Sequence, residues 1–326
     1  MGSPENQAEL TLPGRDVPSK EMSRLPFRAA IAAAVTLAAA ATFTACSAPA
    51  KPGPTTYYLA LGDSLSQGVQ PDAAGASVET AQGYPDLVYN KLRNDHPGLK
   101  LIQLGCPGET TKTMMRGGMC RYRGAELAGA SGRGGSQLAA AVAFLRANRG
   151  HTLLVTLDIG ANDPESCGSQ PSLGMLVSCV GQTPEAAANL STILATLRAA
   201  AGQDVRIVGM SYYLPALAEW RKGTLGQVVA RVGEGLAAAY NSLLNNAYAK
   251  AGIGVADVFG AFDTTDFGDQ VTVPGIGSVP RNVAMICEWT WECAPPPRGP
   301  NQHANPAGYQ VIANAILKAA NLNRSG

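Results

Sequence analysis

Five short runs of apolar and β-branched residues recur along the chain, at 57–62, 99–104, 152–158, 204–209 and 253–258. Between and after them lie stretches whose apolar positions return every three to four residues, at 83–94, 136–147, 183–201, 224–250 and 306–320. Nearly continuous apolar runs of this length suit strands covered on both faces, and the longer period suits helices that bury one stripe. Their alternation predicts an α/β fold: a sheet of about five parallel strands between two layers of helices. No internal repeat and no Pro/Gly/Ser linker divides this stretch, so one domain is expected over 56–322.

Upstream of residue 56 the pattern changes. Residues 1–21 are polar and without period, and Arg24 and Arg28 then precede an Ala-rich apolar stretch from Ala29 to Phe43. That is the layout of a secretory signal, and the stretch is short and only mildly apolar for a membrane span. It ends Phe43-Thr44-Ala45-Cys46, which resembles the lipobox of bacterial lipoproteins, where the cysteine is lipidated and becomes the first residue. A plain cleaved signal and an uncleaved anchor are the alternatives, and Met22 is a candidate start. Residues 1–46 are thus expected to be a lipoprotein-type signal segment. Residues 47–55, rich in proline, are expected to be an extended tether at the outer face of the cell membrane.

Charge and cysteine content narrow the partners. Lys and Arg total 25 against 24 Asp and Glu, so there is no basic footprint for nucleic acid. Of seven cysteines, Cys46 belongs to the signal. The remaining six fall in close pairs: Cys106 with Cys120, Cys167 with Cys179, and Cys287 with Cys293. Six cysteines admit 15 connectivities, of which this nearest-neighbour pairing is one, and an exported chain is expected to form some disulfides. No Cys-x-x-Cys or His-x-x-x-His spacing suggests a metal site, and none is expected.

The chemistry gathers where the strands end. Gly62-Asp63-Ser64 follows the first strand directly, and open α/β sheets bind ligands beyond the carboxyl ends of their strands. His96 and His151 precede the second and third strands and so lie at the opposite edge; His303, beyond the fifth strand and before the last helix, is the histidine able to reach Ser64. Two further loops leave the same edge, one carrying Gly108 and one carrying Asn162. A glycine N–H and an Asn amide are the donors that a developing oxyanion needs, although each residue alone also suits an ordinary turn. Asp63 is read as shaping its turn.

Ser64, Gly108, Asn162 and His303, in this order and on these loops, resemble the four motifs of the SGNH hydrolases, also called GDSL esterases and lipases. The resemblance spans nearly the whole domain. The stretches Leu104–Thr111 and Asp158–Asp163 are especially similar to secreted actinobacterial members, some of which carry three disulfides. It implies a flavodoxin-like three-layer α/β/α fold and a monomeric serine esterase or lipase that needs no cofactor and acts on a small ester or lipid. It implies Ser64 as nucleophile and His303 as general base, with Ser64, Gly108 and Asn162 forming the oxyanion hole. No Gly-x-Ser-x-Gly elbow is present, which sets the chain apart from α/β-hydrolases of that type. Thioester cleavage, sugar O-deacetylation, acyl transfer and a non-catalytic envelope-binding lipoprotein are the rival readings.

One position departs from the family. Most members have an aspartate three residues before the histidine, and Pro300 stands there. Its carbonyl is the first candidate to accept the Nδ1 proton of His303, with Glu288, Glu292 or Asp266 as remote alternatives. The segment 261–300, carrying Trp289 and Trp291, is expected to wall the acyl pocket as a long loop, with residues 113–135 as a second wall or a mobile flap.

Overall fold

The computed structural model of the chain describes residues 54–120, 135–163 and 183–322. In chain order, β1 (Thr56–Gly62) is followed by a short antiparallel pair, β2 (Gln70–Pro71) and β3 (Ser77–Val78), then α1 (Tyr84–Leu92) and β4 (Leu99–Gln103). Next come α2 (Thr111–Arg116), α3 (Gln137–Ala147), β5 (Thr152–Asp158), α4 (Thr183–Ala201) and β6 (Arg206–Met210). A 3₁₀ segment, Pro215–Lys222, leads into α5 (Thr224–Lys250), β7 (Gly254–Ala256) and α6 (Val258–Ala261). The hairpin β8 (Gln270–Val273) and β9 (Gly277–Pro280), α7 (Arg281–Trp289) and α8 (Pro306–Ala320) complete the order.

β1, β4, β5, β6 and β7 form one parallel sheet in the order β4-β1-β5-β6-β7. Leu59, in the middle of β1, faces Ile102 of β4 on one side and Val155 of β5 on the other. The crossover from β1 to β4 runs one way across the sheet and the later crossovers run the other way, so right-handed connections put α1 on one face and α3, α4 and α5 on the opposite face. α8 packs beside α1 and completes the first layer. This is the flavodoxin-like arrangement expected, and the order reverses between β1 and β5, where such sheets open a crevice.

Local sequence explains why these segments fold as they do. Tyr58, Leu59, Ala60 and Leu61 are all fully buried, as a strand covered on both faces requires. α4 buries Leu190, Ile193, Leu194 and Leu197, one stripe at helical spacing, and α8 does the same with Tyr309, Ile312, Ala313 and Ile316. Asn305 caps α8 by accepting from Gly308 N–H at 3.0 Å, with Pro306 preset for the first turn.

Two expectations are corrected. The fifth strand stops at Ala256 instead of continuing to 258, because the Asp257 side chain accepts from Gly260 N–H and starts α6. The segment 261–300 is not a structureless loop: it folds into the β8–β9 hairpin and α7, whose Val283, Ala284 and Ile286 enter the core. Cys106 is bonded to Cys120 and Cys287 to Cys293. The signal segment with Cys46, the Cys167–Cys179 pair and most of the expected 113–135 wall lie outside the described residues.

Candidate active site

The serine turn is built by backbone groups that find partners in place of a continuing strand. Gly62, at φ 135°, ends β1; a Cβ there would collide with the Asp158 carbonyl and carboxylate, so the turn requires glycine. The Gln137 side chain, at the start of α3, grips this residue from both sides: Gly62 N–H donates to Oε1 at 2.7 Å and Nε2 donates to Gly62 C=O at 2.9 Å. Asp63 N–H donates to the Asp158 carbonyl at 3.0 Å, and Ser66 N–H donates to Asp158 Oδ2 at 3.2 Å. Asp63 Oδ1 accepts from Leu65 N–H at 3.0 Å, which supports the reading of Asp63 as a turn former. These bonds leave the Ser64 side chain to face the crevice edge.

His303 meets it there. Its Nε2 lies 3.0 Å from Ser64 Oγ, and its Nδ1 lies 2.8 Å from Asn301 Oδ1. The loop carrying it is fixed along its length. Trp291 N–H donates to His303 C=O at 3.0 Å, Asn301 N–H donates to Trp291 C=O at 3.2 Å, and the Tyr213 hydroxyl donates to Gln302 C=O at 2.9 Å. Burial pushes the imidazole pKa down, from 6.5 to about 4.

Here the structure corrects the sequence reading of Pro300. The acceptor at Nδ1 is the side chain of the next residue, Asn301, and not the Pro300 carbonyl. The reason is an Asx turn: Asn301 Oδ1 accepts from the main-chain N–H of His303, two residues on, at 3.0 Å, which carries the amide oxygen beneath the ring. Among the described residues, none of the remote acids bonds to the His303 ring. Asp266 Oδ1 accepts from Gly268 and Asp269 N–H, both at 3.0 Å, and Glu292 lies near Glu219 and Lys222, its carboxyl pushed up by burial first and by the Glu219 charge second. Glu288 contributes its carbonyl, which accepts from Asn305 Nδ2 at 2.7 Å.

The two remaining loops are tied to this centre and to each other. Cys106 N–H donates to Gly62 C=O at 3.0 Å, and Glu109 N–H closes a turn onto Cys106 C=O at 3.0 Å. With Pro107 and then Gly108 at φ 81° in its central positions, this turn has the type II pattern, in which only glycine sits easily at the second place. The Cys106–Cys120 bond holds the same loop from its other side. Asn162, beyond β5, donates from Nδ2 to Glu109 C=O at 3.0 Å, which leaves its second amide hydrogen for another acceptor. Neighbouring Asp163 accepts from Thr111 N–H at 2.8 Å and from the Thr111 hydroxyl, joining this loop to the start of α2.

His96 and His151 sit at the amino edge, before β4 and β5, as their positions in the sequence imply. Three contributors were missed by sequence reasoning. Gln137 and Asp158 act across 75 and 95 residues, which no local pattern discloses. Asn301 did carry a signal, since Asn-x-His is the spacing of an Asx turn that ends on the histidine.

Beneath the serine turn, Asp63 and Asp158 are both buried. Burial, the leading cause, raises both carboxyl pKa values; the charge of Asp63 further raises that of Asp158, while a 2.6 Å hydrogen bond from the Tyr84 hydroxyl opposes the rise.

Residues 60–311, well over half of the chain, match the model of a GDSL-like lipase/acylhydrolase family. An extracellular lipase of Streptomyces rimosus is similar in structure, at 18% identity over 80% of this chain and 100% of that one, with a TM-score of 0.51. A phospholipase A1 from Streptomyces albidoflavus NA297 aligns at 19% identity over 82% of this chain and 99% of that one, with a TM-score of 0.45. At such identities the first likeness concerns the fold, and the second carries no argument. No curated protein matches the chain in sequence.

Proposed function

The chain belongs to the GDSL-like lipase/acylhydrolase family and is a carboxylic ester hydrolase; within that class we propose that it works through an acyl-enzyme formed on Ser64. The observation that carries this reading is the 3.0 Å approach of His303 Nε2 to Ser64 Oγ at the point where the strand order reverses. In the proposed course, Ser64 Oγ attacks the ester carbonyl carbon while His303 Nε2 takes its proton. The negative oxygen of the tetrahedral intermediate is received by Ser64 N–H, Gly108 N–H and the second amide hydrogen of Asn162. The intermediate collapses as His303 returns the proton to the departing alkoxide. A water molecule, deprotonated by His303, then attacks the acyl carbon, and the carboxylic acid leaves as Ser64 recovers its proton. Every step uses the chain's own groups, so the reading includes no cofactor.

The substrate is read as a small ester or lipid ester. Two disulfides support export, since such bonds persist in oxidising compartments. With a signal over 1–46, lipidated Cys46 and a tether over 47–55, the domain over 56–322 would act at the outer face of the membrane. A fluorophosphonate probe tests the chemistry: labelling of the wild type and none of Ser64→Ala is expected, and equal labelling of both overturns it. A nitrophenyl-ester series of increasing acyl length, with a sugar acetate beside it, reads substrate choice. For the tether, palmitate labelling and membrane association of the wild type are expected to be lost together in Cys46→Ser, and a variant that keeps both overturns it.

A further inference from the structure

We propose that Asn301 is the positioning residue of His303, holding the imidazole as its Nδ1–H tautomer with a neutral side chain in the place where serine hydrolases commonly use a carboxylate. The inference rests on the esterase reading above and deepens it.

The argument begins with the orientation of an amide. The atom of Asn301 that accepts from His303 main-chain N–H at 3.0 Å faces a group that can only donate, so that atom is the oxygen. Its other end agrees: Nδ2 donates to Ser77 Oγ, on β3, at 3.2 Å. The same oxygen stands 2.8 Å from His303 Nδ1, and an oxygen that only accepts demands a hydrogen there. Nε2 is then the ring nitrogen with the free lone pair, and it points at the Ser64 hydroxyl 3.0 Å away. This is the tautomer that removes a proton from serine.

An Asx turn alone accounts for the contact with the main-chain N–H. It does not require the second contact at Nδ1, nor the anchor at Ser77 on β3. In the serine-protease template, an Asn in place of the aspartate costs about ten-thousandfold in kcat because the amide selects the wrong tautomer. Here the backbone donor forbids that flip, so an amide can do what a carboxylate does elsewhere.

The neutral partner also sets the response to acid. The ionisable groups on the surrounding elements are Asp63 on the serine turn, Asp158 below it, Tyr213 behind the loop, Glu288, Glu292 and Arg298 on the segment leading to it, and Tyr309 on α8. Among the described residues, none forms an ion pair with His303. With burial favouring the neutral ring and nothing negative at Nδ1, the base stays unprotonated at pH values where a carboxylate-paired histidine would carry charge.

The test compares the pH dependence of kcat/KM in wild type, Asn301→Asp and Asn301→Leu on a soluble nitrophenyl ester, with thermal unfolding as the check on folding. Asn301→Asp is expected to keep activity at neutral pH and to move the acid limb up by about one unit or more. Asn301→Leu is expected to lose about a hundredfold to ten-thousandfold in kcat with little change in KM. An acid limb unmoved in Asn301→Asp, or wild-type kcat in Asn301→Leu, overturns the proposal. Histidine nitrogen NMR on unaltered protein reads the tautomer directly: His303 protonated at Nδ1 supports the role, and protonation at Nε2 sinks it, whether or not the leucine variant folds. The two readings fail separately. A wild type that takes no fluorophosphonate removes the esterase, whereas a labelled wild type with Asn301→Leu labelling at the same rate removes only the positioning role.

Discussion

Asn162 is where the proposed oxyanion hole is most open to measurement, because its amide has two hydrogens and the structure assigns one of them. Nδ2 donates to Glu109 C=O at 3.0 Å, which fixes the side chain and leaves one hydrogen for the substrate oxygen. Asn162→Ala removes both. The structural bond is worth about 0.5–1.5 kcal/mol, and for a domain of this size each kcal/mol lowers the thermal midpoint by roughly 2–4 °C. The catalytic donor is worth more: loss of one such group costs about a hundredfold to a thousandfold in kcat, or about 2.7–4 kcal/mol of barrier. KM should change little, since the hydrogen bond strengthens only as charge gathers on the oxygen. Asn162→Asp separates electrostatics from shape. It is nearly isosteric, but its carboxylate has no hydrogen to give and would face both the Glu109 carbonyl and the developing oxyanion. It should therefore fall below the alanine variant in kcat. Steady-state kinetics on a soluble nitrophenyl ester, with a melt on each variant, decides the matter. Wild-type kcat in Asn162→Ala, or an aspartate variant as active as wild type, refutes the reasoning.

Three further outcomes follow from the same geometry. Asp63 and Asp158 have carboxyl pKa values raised above the ordinary 3.8, so the folded state holds protons that the unfolded chain releases; stability contributed by the pair is full below about pH 4 and declines as pH rises toward 6 and beyond. Asp63→Asn should flatten that decline, and thermal midpoints across this pH range that stay parallel to wild type would count against the assignment. Gly108→Ala places a side chain at φ 81°, costing about 1–2 kcal/mol in backbone strain and displacing the donor N–H. Its Cβ would also press on Met119 Cε, at 2.7 Å, but that methyl can move, so adding Met119→Ala should restore neither the melt nor kcat. Replacing Cys106 and Cys120 together by serine frees the loop that carries Gly108. A loss of up to about 3 kcal/mol in stability is expected from denaturant unfolding, together with slower fluorophosphonate labelling; unchanged labelling would show that the bond does not hold the donor in place.

What could be read from the sequence, and what could not, divides along a physical line. β1 was legible because Tyr58–Leu61 are buried on both faces, and α4 and α8 because each buries a single stripe at helical spacing. The gathering of Ser64, Gly108, Asn162 and His303 on loops of one sheet edge was legible because the carboxyl edge of a parallel sheet collects residues in a fixed topological relation, which sequence order alone discloses. α7 escaped because nine residues carry too few turns for their period to stand out, and much of what orders them lies in the core they enter. Gln137 and Asp158 escaped because a side chain that satisfies another strand's backbone leaves no local mark.

Asn301 is the instructive case. An aspartate three residues before the histidine would reach Nδ1 through a carboxylate. The chain reaches the same nitrogen from two residues before, because an Asx turn shortens the path between side-chain oxygen and imidazole. The substitution is then not a defect repaired by a carbonyl but a different solution with a different acid response. A carboxylate stabilises the imidazolium and so raises the pH at which the base becomes protonated, whereas an amide held by a backbone N–H fixes the tautomer and adds no charge. Orientation and charge stabilisation are usually delivered by one residue; here the geometry separates them, and the pH profile of Asn301→Asp measures the part that was left out.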